Sequence, residues 1–339
     1  MKKWTAAAAS LLLMLAACGN EKNDASTNTK KESGDPLTIY TTIYPLQYFA
    51  ERIGGDTIEA ESMLPAGADE HTYEPTSKTI LDIAGADLFL YNGLNLEPFA
   101  DKVKETLSSE DVHVVNVGEQ VEIDTSHGHE HSTEEKHTEE HSHESEEAHT
   151  EEEHNHETED GHDHGGVDPH IWLDPLLAGQ MANVVKEELI ELNPDEEALY
   201  TKNYEELLSE LEQLDESFHT MADAATQKEI LVSHAAYGYW EKSYGIEQLS
   251  VAGLSSTDEP SQKELKELAD TAKEHNIRYV IFEQNVTPKI AKVIQEEIGA
   301  DSLRLHNLAT LTEEDIKEEQ DYMSIMKQNI ETLKTAMNK

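Results

Sequence analysis

Residues 126–166 constrain the fold of this chain more than any other segment. Between His127 and His164 there are eleven His and fifteen Asp or Glu, with one Lys and hardly any apolar residue. A segment of this composition cannot bury enough apolar surface to form a core. The chain of 339 residues is therefore expected to fold as two ordered halves separated by this insert.

Both halves alternate short apolar runs with amphipathic stretches, which predicts an α/β fold. One helix of about thirty residues is predicted from Asp195 to Ala224 and separates the two α/β units. We expect two parallel-sheet lobes joined by this long rigid helix, with ligands bound at the carboxyl ends of strands and between the lobes. The predicted strands are Leu37–Ile43, Ile58–Leu64, Ala86–Tyr91, Val112–Val117, Glu229–Ser233, Ile246–Val251, Arg278–Phe282 and Ser302–Leu305.

The first residues of the chain indicate export. Lys2 and Lys3 precede an apolar segment, Ala6–Ala17, that has the length of a secretory signal and is too short to span a bilayer. Leu15-Ala16-Ala17-Cys18 resembles the lipobox of bacterial lipoproteins, in which the Cys thiol accepts the lipid. We therefore expect Cys18 to be lipidated and the protein to lie on the extracellular face of the cell membrane. The alternative is an ordinary signal peptide with a chance Cys.

Charge and cysteine content exclude several classes of protein. The formal net charge of −46 argues against binding nucleic acid, and against attraction to anionic lipid by charge. Cys18 is the only cysteine, so no intramolecular disulfide can form.

The insert is predicted to collect metal ions at several weak, exchangeable sites, because neutral imidazoles bind Zn²⁺ and Cu²⁺ well. A solvated spacer is the alternative. One part of it, His137 to His141, matches the H-x-x-E-H pattern of some zinc peptidases, but no core could support the required helix and we expect no enzyme. The accessory ligands are predicted to be His127, His129, His131, His137, His141, His143, His149, His154, His156, His162 and His164.

Three histidines outside the insert lie at predicted strand ends or in Pro-rich loops. They are His71, His170 and His234, and their similar positions favour one shared site. The remaining histidines are predicted to be surface or structural residues: His113, His219, His275 and His306.

From about Leu37 to the C-terminus, the chain resembles the metal-binding solute-binding proteins of ABC importers. This group includes the high-affinity zinc-uptake lipoproteins and the zinc and manganese adhesins. The insert is similar to that of the zinc members. The motifs that carry the resemblance are Thr41-Thr42-Ile43-Tyr44-Pro45, Glu70-His71-Thr72-Tyr73-Glu74-Pro75, Ala86-Asp87-Leu88, Tyr91-Asn92-Gly93, Asp168-Pro169-His170-Ile171-Trp172, Ser233-His234-Ala235-Ala236-Tyr237-Gly238-Tyr239, Gly253-Leu254 and Glu259-Pro260-Ser261.

The resemblance implies that His71, His170 and His234 bind one ion in the interlobe cleft. Family members commonly supply a fourth ligand, a carboxylate, at the position of Ala309. In this chain the fourth ligand is therefore expected to be water, Glu70 or Glu283. Three imidazoles suit Zn(II) as the transported ligand better than Mn²⁺, which prefers more oxygen ligands.

The resemblance also implies capture of Zn(II) and its delivery to an ABC permease and its ATPase, by a monomer held at the membrane through its lipid. A manganese-binding importer component and a metal-stabilised surface adhesin are the alternatives. The expected organisation is a signal peptide (1–17), lipidated Cys and tether (18–35), an N-terminal lobe (36–194) containing the insert, a linking helix (195–224) and a C-terminal lobe (225–339).

Overall fold

The computed structural model describes residues 35–123, 167–258, 260–284 and 288–338. Its strands are β1 (Leu37–Thr41), β2 (Ile58–Ser62), β3 (Leu88–Tyr91), β4 (His113–Asn116), β5 (Glu229–His234), β6 (Glu247–Ala252), β7 (Tyr279–Glu283) and β8 (Asp301–Leu305). Its α-helices are α1 (Tyr44–Gly54), α2 (Ser77–Ala84), α3 (Ala100–Leu107), α4 (Pro175–Leu192), α5 (Glu197–Ala224), α6 (Gly238–Tyr244), α7 (Gln262–Glu274), α8 (Lys289–Ile298), α9 (Glu313–Lys317) and α10 (Tyr322–Met337).

The strands form two parallel sheets of four, in the orders β2-β1-β3-β4 and β6-β5-β7-β8. The prediction of an α/β fold with two parallel-sheet lobes is therefore confirmed. All eight predicted strands are present, with ends moved by one or two residues. Because the strands are parallel, the carboxyl ends within each sheet lie along one edge, where loops can bring ligands together.

The largest apolar core joins both lobes. It includes Ile39 of β1, Phe49 of α1, Leu211 of α5, Val232 of β5 and Leu333 of α10, all buried. Two smaller clusters cover the outer faces of the sheets, one around Phe89 and the other around Val280. Both faces of each sheet are thus covered, which explains why the strands are apolar runs and not alternating patterns.

The long helix α5 contributes one continuous apolar stripe to this core. Its buried side chains recur at helical spacing from Tyr200 to Met221. The helix begins at Glu197, after a 3-10 turn at Pro194–Glu196, so it starts two residues later than predicted. It contacts α1 and α4 of the N-terminal half and α6 and α10 of the C-terminal half.

Helix α1 has no counterpart among the predicted elements. Tyr44-Pro45 starts it, and Pro in the first turn fits because its missing N–H has no acceptor there. The helix buries most of its residues, Leu46, Phe49 and Ile53 among them. Within the described residues, no helix has the length and apolar character needed to cross a membrane.

Candidate metal centre

His71 lies in the turn-rich segment that follows β2. The backbone N–H of His71 donates to Asp69 Oδ1 at 2.9 Å, and the N–H groups of Thr72 and Tyr73 donate to the carbonyl of Asp69. Asp69 therefore organises the turn from which the His71 side chain extends. His71 is half-buried, whereas the other two histidines of the site are fully buried.

His170 lies just before a 3-10 turn, Ile171–Leu173. Asp168 Oδ1 accepts from the His170 backbone N–H at 3.0 Å and lies 2.8 Å from His170 Nδ1. Because a carboxylate can only accept, the proton of this imidazole lies on Nδ1 and the lone pair on Nε2. The carbonyl of Asp168 is itself bound by the Tyr239 hydroxyl at 2.6 Å.

His234 is the last residue of β5, a central strand of its sheet. Its Nδ1 contacts Oε1 of Glu283, the last residue of the neighbouring strand β7. This carboxylate orients the His234 ring with Nε2 towards the site, as Asp168 does for His170. Carboxylates that bind the far nitrogen of a ligating His orient the ring and raise its basicity.

The Nε2 atoms of the three histidines converge on one point. His170 Nε2 lies 3.3 Å from His71 Nε2 and 3.4 Å from His234 Nε2. Two nitrogens bound to a tetrahedral Zn²⁺ at 2.0–2.1 Å are separated by about 3.3–3.4 Å. The spacing therefore matches two edges of such a site. Across the described parts of the chain, these residues form the one group of three or more potential ligands whose donor atoms all lie within 4.8 Å of one another.

The site shifts the pKa values of His71 and His234 in opposite directions. Burial lowers the pKa of His71 to about 3, and the neighbouring His170 and His234 add to this effect. Burial also acts to lower the pKa of His234, but the charge and hydrogen bond of Glu283 outweigh it and raise that pKa to about 9. At neutral pH His71 is therefore an available ligand, whereas His234 carries a proton that an ion must displace.

The predicted fourth ligands have other partners. Glu70 is buried, its Oε1 accepts from Asn307 Nδ2 at 3.1 Å, and burial followed by the charge of Glu283 raises its pKa to about 8. Glu283 contacts Nδ1 of His234. Ala309 is buried. Its backbone N–H donates to Asn307 Oδ1, and its carbonyl accepts from the backbone N–H of Tyr44. Neither Glu70 nor Glu283 belongs to the converging group within the described residues, and their role as ligands stays a prediction.

Three residues that support the site received no such role from the sequence. Asp168 carries a signal, because a carboxylate two residues before a ligating His can reach its Nδ1. Glu283 and Asn307 are far from the histidines along the chain, and only the register of the second sheet brings them close.

The other predicted sites have separate locations. Cys18 and the eleven histidines of the insert lie outside the described residues. The four histidines predicted to be surface or structural residues lie outside the converging group, each beside a carboxylate: His113 by Glu188, His219 by Asp215, His275 by Glu229 and His306 by Asp315.

A family model and individual known proteins all relate this chain to zinc-uptake proteins. The family model described as "Zinc-uptake complex component A periplasmic" matches residues 39–336. The chain is 35% identical over 338 residues to the high-affinity zinc uptake system protein ZnuA of Bacillus subtilis, covering 99% of this chain and 98% of that protein. It is 33% identical to the zinc-binding lipoprotein AdcA of Streptococcus pneumoniae, over 98% of this chain but 61% of AdcA.

Solved structures agree with this relationship. The Zn(II)-bound ZnuA-like domain of Streptococcus pneumoniae AdcA superposes with a TM-score of 0.69 at 29% identity, covering 90% of this chain and all of that domain. The laminin-binding protein Lbp of Streptococcus pyogenes superposes with a TM-score of 0.70 at 26% identity, covering 90% of this chain and all of Lbp. The chain belongs to the ZnuA family of zinc-uptake complex components.

Proposed function

We propose that this chain is the extracytoplasmic component of a zinc importer, which captures Zn²⁺ and delivers it to a membrane permease. The observation that carries the proposal is the convergence of three imidazole nitrogens, two of whose separations match a tetrahedral zinc site. ZnuA of Bacillus subtilis, matched over nearly its whole length, is named as a zinc uptake protein. The family consists of solute-binding components, so the chain acts by binding and transfer without catalysis.

The donor set supports zinc over manganese. Three neutral imidazoles provide a nitrogen-rich site, and Mn²⁺ is at the weak end of the affinity order for such ligands. Ala309 provides no carboxylate to shift that preference. We propose that water completes the tetrahedron, with Glu70 as the alternative fourth ligand.

The partners are proposed to be an ABC permease and its ATPase, with this chain acting as a monomer. Lipidation of Cys18 would hold the protein on the extracellular face of the cell membrane, beside the permease. The histidines of residues 126–166 would raise the local concentration of Zn²⁺ near the main site. The proposed domain organisation is an N-terminal lobe to residue 194, a linking helix at 195–224 and a C-terminal lobe thereafter.

Adhesion is a second candidate function, favoured by the similarity to the laminin-binding Lbp. The two functions differ in what the ligand histidines do. If adhesion were the main function, laminin binding would survive replacement of all three histidines, whereas zinc uptake would not depend on the protein.

Zinc titration of single His→Ala variants tests the proposal. Replacing His71, His170 or His234 is expected to weaken Zn²⁺ binding in competition with a chelator by at least about 100-fold, because each removes one donor from a closed site. His219→Ala is the matched control: this exposed histidine lies beside Asp215 of α5 and outside the converging group, and its variant should bind Zn²⁺ as the unaltered protein does. Tight binding in all three ligand variants would contradict the proposal.

A further inference from the structure

Asn307, a buried residue just beyond β8, uses all the hydrogen-bonding capacity of its side chain. Its Oδ1 accepts from Gln284 Nε2 at 2.9 Å and from the backbone N–H of Ala309 at 3.1 Å. Its Nδ2 donates to Glu283 Oε2 at 2.8 Å and to Glu70 Oε1 at 3.1 Å. Two acceptor and two donor positions are thus filled by four different partners.

These contacts fix which way the amide faces. With Oδ1 and Nδ2 exchanged, the amide nitrogen would oppose the N–H of Ala309, and the amide oxygen would oppose the carboxylate of Glu283. The backbone of Asn307 is held as well. Its N–H donates to Gln284 Oε1 at 3.0 Å, and its carbonyl accepts from Trp172 Nε1 at 2.7 Å. The amide is therefore a preorganised double donor aimed at two buried carboxylates.

The carboxylate of Glu283 links this amide to the ion site. One of its oxygens, Oε2, accepts from Asn307, and the other, Oε1, contacts His234 Nδ1. The side chain of Glu283 is thereby fixed at both oxygens, and the ring of His234 is held with Nε2 towards the other histidines. The second carboxylate on Asn307, that of Glu70, comes from the N-terminal lobe, so the same amide connects the two halves of the site.

We propose that Asn307 is a positioning residue for ion capture, which holds Glu283 on the far nitrogen of His234 and joins that carboxylate to Glu70 of the other lobe. The proposal rests on the proposed zinc-binding function. Asn307 does not contact the ion in this account. It acts through Glu283, and its loss would leave two buried carboxylates without their shared donor.

Zinc affinity of Asn307→Ala tests this role. Loss of a residue that orients a ligand typically weakens metal binding by about 10–100-fold, and we expect the Zn²⁺ Kd to rise by that factor. Asn329→Ala is the matched control. Asn329 is a buried asparagine of α10 that binds the N–H and carbonyl of His306, at 2.9 and 2.8 Å, in the same loop, but contacts neither carboxylate. Its variant should lose thermal stability while keeping the Zn²⁺ Kd within about threefold.

A double-mutant cycle with Glu283→Gln separates positioning from general loosening. If Asn307 acts through Glu283, the Zn²⁺ Kd of the double variant should be about the same as that of whichever single variant binds Zn²⁺ less tightly. The downfield proton resonance of His234 Nδ1–H in the zinc-loaded protein should be lost in Asn307→Ala and kept in Asn329→Ala. Asn307→Ser replaces the alanine variant if the latter does not fold, and must show the same loss.

Several outcomes would overturn the inference: a Zn²⁺ Kd for the Asn307 variant within threefold of the unaltered protein, an equal loss in Asn329→Ala, or losses that add in the double variant. Failure of the proposed function would be seen differently. In that case the unaltered protein itself would bind Zn²⁺ no more tightly than the protein with all three ligand histidines replaced.

Discussion

The three histidines proposed as ligands lie in different electrostatic settings. His170 and His234 each have a carboxylate at Nδ1, whereas His71 is anchored through its backbone to Asp69. The buried pair of His234 and Glu283 stores a proton in the absence of an ion, because the carboxylate stabilises the imidazolium. Ion binding at the proposed site would therefore exchange a proton for a metal.

This exchange predicts how zinc affinity depends on pH. The pKa of His234 is raised to about 9, so between pH 8 and 6 Zn²⁺ must displace one proton, and its Kd should rise about tenfold for each unit of acidification. Calorimetric titration at pH 7 in buffers of different ionisation enthalpy should detect about one proton released per zinc. No proton release would contradict the proposed state of His234.

The general expectation from an ordinary histidine is that affinity falls only below about pH 6.5. The structure moves this onset upward, since Glu283 outweighs the effect of burial on His234. The change could not be predicted from the sequence, where Glu283 is separated from His234 by 49 positions and its position beside the ring depends on the pairing of β5 with β7.

At the scale of elements, α5 and its neighbours hold the two sheets in place. Phe218 packs against Trp240 and Tyr244 of α6, with ring centroids 5.3 and 5.1 Å apart. Trp240 Nε1 donates to the carbonyl of Leu173 at 2.8 Å, near the His170 loop. The helix therefore supports elements that lead to ligands in both halves.

Phe218→Ala should lower the free energy of unfolding of the ion-free protein by about 3–5 kcal/mol, because it leaves a cavity among buried rings. Chemical denaturation followed by circular dichroism measures this change. Glu216→Ala, an exposed position on the same helix, should change it by less than about 0.5 kcal/mol. Equal effects of the two substitutions would show that the aromatic contacts do not stabilise the fold.

Sequence patterns predicted the elements with strong periodicity, including the strands and α5. Helix α1 was missed because its aromatic and Pro-containing start, Tyr44-Pro45, resembles a loop motif more than a helix start. The convergence of the three histidines could be predicted because each lies in a short, distinctive motif. Asn307 could not, since its four side-chain partners come from segments that only the tertiary fold brings together.

At the scale of the molecule, the proposed ion would connect two lobes. His71 and His170 come from the N-terminal half, His234 from the C-terminal half, and the same core runs between the sheets. Further links cross between the halves at the site, including Ser256 Oγ to Asp69 Oδ2 at 2.7 Å. Binding should therefore stabilise this arrangement of the two lobes.

Zinc is expected to raise the thermal stability of the protein through this bridge. An ion present at a thousand times its Kd contributes about 4 kcal/mol to the folded state. Differential scanning calorimetry should show a higher Tm with zinc, reversed by a chelator, and no such increase in His234→Ala. An increase in that variant equal to the one in the unaltered protein would place the stabilising ion elsewhere.

The most direct test of the zinc site is elemental analysis after equilibration with competing Zn²⁺ and Mn²⁺. The protein lacking residues 126–166 should retain about one zinc per chain, and the same protein with His71, His170 and His234 replaced by Ala should retain none. Retention of manganese in place of zinc, or of zinc in the triple variant, would contradict a zinc site built from these three histidines.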